Sequence, residues 1–188
     1  MNPEDQARQD IDKMLIASGW IIQDYEDRNL SESLGVAVRE YPLSKDNADY
    51  ALFIDSQPVG VVEAKKYGHT LSGVVEQSEK YLDGLHEKFT SAPIRPPFSY
   101  ETTGIETTFA DRRDPNHRSR HVFTFHRPEL LQTWYNEETT LRARLSDIPK
   151  LNFDKLWDCQ SEAITNLEDS FSQNKPRALI QMATGSGK

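Results

Sequence analysis

One cysteine in 188 residues, Cys159, leaves no partner for a disulfide and fits a reducing compartment. No apolar run approaches the length of a membrane span, and the N-terminus is too charged for a signal peptide. A cytoplasmic protein without a membrane partner is therefore expected. Positive charge is also scarce. Against 30 Asp and Glu stand 22 Lys and Arg, a net charge of −8, which argues against a protein that coats nucleic acid. A local basic patch beside an acidic site remains compatible with that balance. Five histidines and the lone cysteine provide no zinc-ligand spacing. Repeats and low-complexity segments are absent as well. What remains, 36% hydrophobic and 28% charged, suits a globular chain long enough for one domain and part of another.

The stretch from Asp49 to Lys65 organises the rest. Two apolar runs, Tyr50–Ile54 and Val59–Val62, flank Asp55-Ser56-Gln57-Pro58, which reads as a tight turn between strands. Strand side chains alternate faces, so Glu63 and Lys65 point the same way. A three-residue loop centred on Ser56 pairs Asp49 with Glu63, and a two-residue loop offsets them by one. Either way, two carboxylates and a lysine meet at one end of an apolar hairpin. Ionised carboxylates avoid such surroundings unless compensated, and a divalent metal is the usual compensation. The plainer alternative is a surface hairpin with a solvated Glu–Lys pair.

An acidic residue, a short hairpin and Glu-x-Lys resemble the PD-(D/E)XK nuclease family. The resemblance implies that Asp49 and Glu63 hold Mg²⁺, while Lys65 orients the attacking water and offsets charge on the phosphate. Those roles suit phosphodiester hydrolysis, which needs an activated water and compensation for developing negative charge. After the hairpin, Leu71, Val74, Val75, Ser78, Leu82 and Leu85 form the apolar stripe of a helix from about Leu71 to Leu85. Gln77 and Tyr81, four apart on its edge, are similar to the accessory motif of nucleases fused to DNA motors. As ordinary boundary residues they would need no such role. Upstream, Asn2 and Pro3 open a helix that Gly19 closes, with Ala7, Ile11, Met14, Leu15 and Ser18 on one face. Glu4 shares that face. It is either a first-turn acid favoured by the helix dipole or an extra carboxylate over the nuclease site.

Trp20–Ile22, Val36–Leu43, Phe98–Thr103, Glu106–Ala110 and His121–Phe125 also read as strands, and Pro128 starts a further helix. The expected fold is α/β, with a mixed central sheet of about five or six strands flanked by helices. Between the last two strands lies the most cation-rich segment of this acidic chain. Its Arg112, Arg113, Arg118 and Arg120 suit a loop that contacts DNA phosphates, or else a solvated hairpin tip.

Beyond residue 145 the chain changes character. Ser146–Asp154, with Pro149, reads as a linker; a helix follows from Leu156 to about Asn174, then a buried strand from Arg177 to Met182. That strand runs into Ala183-Thr184-Gly185-Ser186-Gly187-Lys188. The segment resembles the phosphate loop of superfamily 2 helicases, whose backbone amides wrap a phosphate. Gln160 resembles that superfamily's adenine-sensing glutamine. The resemblance implies ATP binding through Gln160, Thr184, Gly185, Ser186, Gly187 and Lys188. Because the chain stops at Lys188, it is expected to be the N-terminal piece of a larger motor protein: a nuclease domain over 1–145, a linker over 146–154, and the start of a RecA-like motor domain over 155–188.

In this order the motifs resemble the N-terminus of the motor (R) subunit of a type I restriction enzyme. That resemblance implies a restriction-endonuclease-like fold and ATP-driven translocation followed by cleavage of duplex DNA. It also implies a complex with methyltransferase and specificity subunits. A function from another class is a catalytically silent docking module that anchors the motor to its partners.

Overall fold

The computed structural model describes residues 3–44, 46–68, 71, 75–90, 94–115, 117–149, 155–173, 175 and 177–186; the side chains of 3–5 and 75–77 fall outside the description. The chain divides into two compact units. One comprises Met1–Arg112 with His117–Glu137, the other Arg113–Asn116 with Glu138–Lys188.

The first unit opens with helix α1 (Pro3–Ala17), whose Ala7, Ile11 and Leu15 recur at helical spacing and are buried. Gly19, at φ +90°, ends the turn that follows, a conformation only glycine adopts without strain. Four strands come next, β1 (Ile21–Asp24), β2 (Gly35–Pro42), β3 (Asn47–Ile54) and β4 (Gln57–Ala64). Helix α2 (Val75–Lys88) crosses over to β5 (Phe98–Thr102), followed by β6 (Thr107–Asp111), β7 (Arg120–Val122) and helix α3 (Pro128–Asn136).

All seven strands form one mixed sheet in sequence order, parallel only between β1 and β2 and between β4 and β5. The sheet exceeds the expected five or six strands because β1 and β7, brief edge segments of four and three residues that the sequence also marks, both join it. One face carries Tyr50, Val62, Phe98, Tyr100 and Phe109, packed with Ile11 and Leu15 of α1 and Leu131 and Tyr135 of α3. The opposite face carries Val36, Val38, Phe53 and Val61, covered by Tyr81, Leu82 and Leu85 of α2. This is an α/β, helix–sheet–helix arrangement. The described part of the second helix runs from Val75, residues 72–74 lie outside the described residues, and Leu71, expected at its start, is buried without being helical.

The β3–β4 hairpin resolves the register question. Asp55 and Ser56, at φ +49° and +64°, make a two-residue turn, and Ile54 pairs with Gln57. Alone, that turn would offset Asp49 from Glu63. A bulge between Leu52 and Phe53 adds one residue to β4, so Leu52 pairs with Gly60 and Tyr50 with Val62. Continued by one pair, this register sets Asp49 opposite Glu63. Gly60 is needed on β4 because a Cβ there would lie 2.4 Å from the Phe98 carbonyl oxygen of β5.

The second unit contains helix α4 (Leu141–Arg144), a 3₁₀ turn (Leu145–Asp147) and helix α5 (Asp158–Ser172). Thr140 caps α4 by accepting the Ala143 N–H at 3.2 Å, and the 3₁₀ turn that follows takes in Ser146 and Asp147, the first residues of the expected linker. The expected buried strand at Arg177–Met182 is not formed. Residues 177–183 have no strand assignment, and Leu179 is 92% exposed. An extended segment becomes a strand only by hydrogen bonding to a neighbour, and among the described residues none pairs with it.

Candidate active site

The C-terminal end of β4 meets the N-terminal part of α1 in a cleft of about 580 Å³ lined by Arg8, Asp49, Glu63, Lys65, Lys66 and Tyr81, among others. Asp49 accepts the backbone N–H of Ala64 at 2.8 Å and the Arg8 guanidinium at 3.1 Å. Arg8 also pairs with Glu40. Burial of this guanidinium works against its charge, yet Glu40 and Asp49 outweigh burial and raise its pKa.

Glu63 is 5% exposed and accepts from the Lys65 ammonium at 2.9 Å through Oε1. Its Oε2 is buried without a hydrogen-bond partner. Burial raises the Glu63 pKa above the ordinary glutamate range; the Lys65 hydrogen bond opposes the rise, while the nearby charges of Asp49 and Glu101 add to it. The main chain of Lys65 is fixed too, its N–H donating to the Thr102 carbonyl of β5 at 2.7 Å.

The structure thus brings Asp49, Glu63, Lys65 and Tyr81 to one cleft. Glu4 lies in the first turn of α1 and Gln77 on α2, and their side chains are outside the described residues. Sequence reasoning missed Glu101. It pairs in register with Glu63 across the parallel β4–β5 ladder, is 3% exposed, accepts from Ser78 of α2 at 3.1 Å, and leaves its own Oε2 without a partner. Its only signal in the sequence is an acidic residue between Tyr100 and Thr102 of an expected strand.

The arginine-rich segment is partly committed to the fold. Arg112 reaches Glu79 at 3.2 Å and Asp83 at 3.4 Å, and His117 also meets Glu79. Arg120 lies over the Phe109 ring at 5.0 Å. Arg113 belongs to the second unit, and Arg118 is exposed.

Within the second unit, Gln160 accepts the Trp157 N–H at 3.1 Å and donates to the Ser186 carbonyl at 3.0 Å. It therefore touches the Ala183–Ser186 turn, in which Gly185 has φ +86° and Ser186 bonds back to Ala183. Thr184 sits in that turn, whereas Gly187 and Lys188 lie outside the described residues.

A mixed sheet with helices on both faces, and an acidic-lysine cleft at the end of its central hairpin, define a restriction-endonuclease-like α/β protein. Comparison with known proteins carries this further. Residues 31–96 match the family model for the second domain of the type I restriction enzyme EcoKI endonuclease subunit, and residues 153–188 match that for the res subunit of type III restriction enzymes. The chain is 27% identical to the type I restriction enzyme EcoKI endonuclease subunit of Escherichia coli (strain K12), over 98% of its own length and 20% of that protein's. It is similar in structure, with a TM-score of 0.53 and 23% identity, to a fragment of an HsdR subunit of a type I restriction enzyme from Vibrio vulnificus YJ016, covering 100% of this chain and 36% of that one. The chain is thus similar to endonuclease (R) subunits of type I restriction enzymes and spans about a fifth of the length of the curated relative it matches.

Proposed function

We propose that this chain carries the Mg²⁺-dependent endonuclease site of an ATP-driven type I restriction enzyme motor subunit. The observation that carries this reading is the cleft where Asp49, Glu63 and Lys65 meet, with one buried Glu63 oxygen unpartnered. The donor set fits magnesium. Mg²⁺ prefers oxygen ligands and is commonly held by one or two carboxylates, with water and phosphate oxygens completing its shell. Among the described residues no cluster of three or more potential metal-ligating side chains occurs, so Asp49 and Glu63 would be the protein's share. A cation there would lower the pKa of a bound water and compensate charge on the phosphate.

The remaining work falls to side chains of the chain itself. Lys65, held by its backbone bond to Thr102 and its ammonium bond to Glu63, presents a fixed positive charge where negative charge develops. Arg8 and the Ala64 N–H hold the Asp49 carboxylate in one orientation. Tyr81 closes one side of the cleft, and Gln77 and Glu4 extend the set by resemblance. Arg118, and with it Arg112, Arg113 and Arg120, would steer the duplex. Gln160 with Thr184, Gly185, Ser186, Gly187 and Lys188 would hold ATP in the longer protein. The partners are duplex DNA and the methyltransferase and specificity subunits. Among the described residues no helix is long and apolar enough to cross a membrane.

The test is plasmid cleavage by the full-length subunit in its complex. Asp49→Ala and Glu63→Ala are expected to abolish cleavage, and chelation of divalent cations should do the same to the wild type. Cleavage that persists in both variants would move the site elsewhere and favour the docking module.

A further inference from the structure

Among the described residues, only Glu40, Asp55 and Ser56 combine a side chain with a positive φ. Asp55 and Ser56 form the β3–β4 turn, whose geometry calls for that conformation. Glu40 lies inside β2 at φ +45°, where no turn requires it and a glutamate is strained. The β2–β3 ladder pairs Arg39 with Tyr50 and Tyr41 with Ala48, yet among the described residues it has no Glu40–Asp49 pair between them.

Those two carboxylates are joined through helix α1 instead. The Arg8 guanidinium forks between them, one Nη to Glu40 and the other to Asp49 at 3.1 Å. One turn further along α1, Asp12 accepts from the Tyr50 hydroxyl at 2.8 Å and from Arg39 at 2.7 Å. The helix is thereby tied to the strand neighbours of Glu40 and Asp49. The Arg8–Glu40 pair is about half-exposed on both sides, and such pairs add little to stability, so stability does not account for the strain.

We propose that Glu40 is a positioning residue, held in a left-handed conformation so that its carboxylate fixes the Arg8 guanidinium against Asp49. This inference rests on the nuclease reading above. Arg8 is long and flexible, and Asp49 alone would leave its fork free to shift between single and bidentate contacts. Glu40 takes one arm and leaves the other for Asp49. Asp49 Oδ1 meets that arm while Oδ2 accepts the Ala64 N–H, so the carboxylate is held from two sides. Each oxygen keeps a second lone pair for a cation. Strain inside β2 thus supports the orientation of a metal-binding carboxylate on the adjacent strand, the kind of place where strained backbone persists.

The test is calorimetric titration of the 188-residue chain with Mn²⁺ alone, beside its melting temperature. Glu40→Gly removes the carboxylate and the strain together. It should weaken Mn²⁺ binding by roughly tenfold, the low end of what groups supporting a metal ligand contribute. The melting temperature should stay unchanged or rise, because glycine accepts a positive φ freely. Asparagine tolerates the left-handed region too but is shorter and uncharged, so Glu40→Asn should match Glu40→Gly. In an Arg8→Met background Glu40→Gly should change the affinity by about twofold or less, because no guanidinium remains to be placed.

A comparable loss in the Arg8→Met background would mean that Glu40 acts on the cation by its own charge, and would overturn the proposal. Unchanged affinity in Glu40→Gly would overturn it too, and a loss in Glu40→Gly alone would trace to backbone freedom with the same result. Affinity and melting temperature falling together in both Glu40 variants would make the residue structural. A wild-type chain without Mn²⁺ affinity, or one unaffected by Asp49→Asn, would instead remove the nuclease reading and this inference with it.

Discussion

Tyr100 and Glu101 are consecutive residues of one strand, almost equally buried, on opposite faces of the sheet. Tyr100 is satisfied. Its hydroxyl meets His126 Nδ1 at 2.6 Å and accepts the His126 N–H at 3.2 Å, inside a cluster with Phe109, Phe125 and Trp134. Trp20 closes the same region by donating to the His126 carbonyl. Glu101 is only half satisfied, as is its neighbour Glu63. The difference teaches that buried polarity alone does not mark a site. Where every polar group has a partner, the cluster specifies packing; where buried oxygens are left over, they call for a separate explanation, such as a bound ion or water.

The largest effect that tests this contrast is steric. Tyr100→Ala should destabilise the chain by about 3–5 kcal/mol through the cavity it leaves among the aromatic rings. Glu101→Met, one position on, should be neutral or stabilising in denaturant unfolding. Equal losses at both positions would break the comparison. Smaller is Tyr100→Phe, expected to lose about 1–3 kcal/mol because His126 is left without its partner.

The two clusters should also respond to pH with opposite sign. Burial pushes His126 down to about 4, with the Arg120 charge adding to the shift, so it is neutral in the fold. Its contribution is present above the ordinary histidine value of 6.5 and is lost as pH falls toward about 4. Burial raises Glu63 and Glu101 above the ordinary 4.5. Their contribution is present below that value and is lost as pH rises through the raised pKa values. Unfolding measured across this range should show Glu101→Gln gaining on the wild type at neutral pH relative to acid. A difference that stays constant with pH would contradict the assignment.

The smallest effect concerns Arg118, the exposed member of the arginine-rich segment. Arg118→Ala in the full-length enzyme should reduce the salt dependence of DNA binding by roughly one unit of slope, uniformly across sequences. An unchanged slope would leave Arg118 as solvated surface.

Much of this was legible in the sequence. Two apolar runs flanking Asp55-Ser56 marked the hairpin, and the stripe of Ser78, Leu82 and Leu85 marked the helix that covers it. Asp49, Glu63, Lys65 and Tyr81, singled out by the hairpin pattern together with the family resemblance, do share a cleft. The register was open because a two-residue turn and a bulge together mimic a three-residue loop, and no local pattern announces the bulge. Glu101 was invisible for a related reason. Its partner Glu63 lies across a parallel ladder joined by a long crossover, so their adjacency exists only in the sheet. The strand expected at Arg177–Met182 was inferred from apolar content, which does not supply the neighbour a strand requires.

The nuclease assignment is tested most directly by Lys65→Ala in the full-length protein, with ATP hydrolysis and plasmid linearisation measured on the same preparation. Lys65 neither fills the core nor belongs to the phosphate-loop segment, and its contribution is expected mainly in the transition state. The account predicts ATPase activity near wild type and linearisation reduced by orders of magnitude. Retained linearisation would show that the nuclease site has been placed on the wrong residues, and joint loss of both activities would show that this end of the sheet is structural.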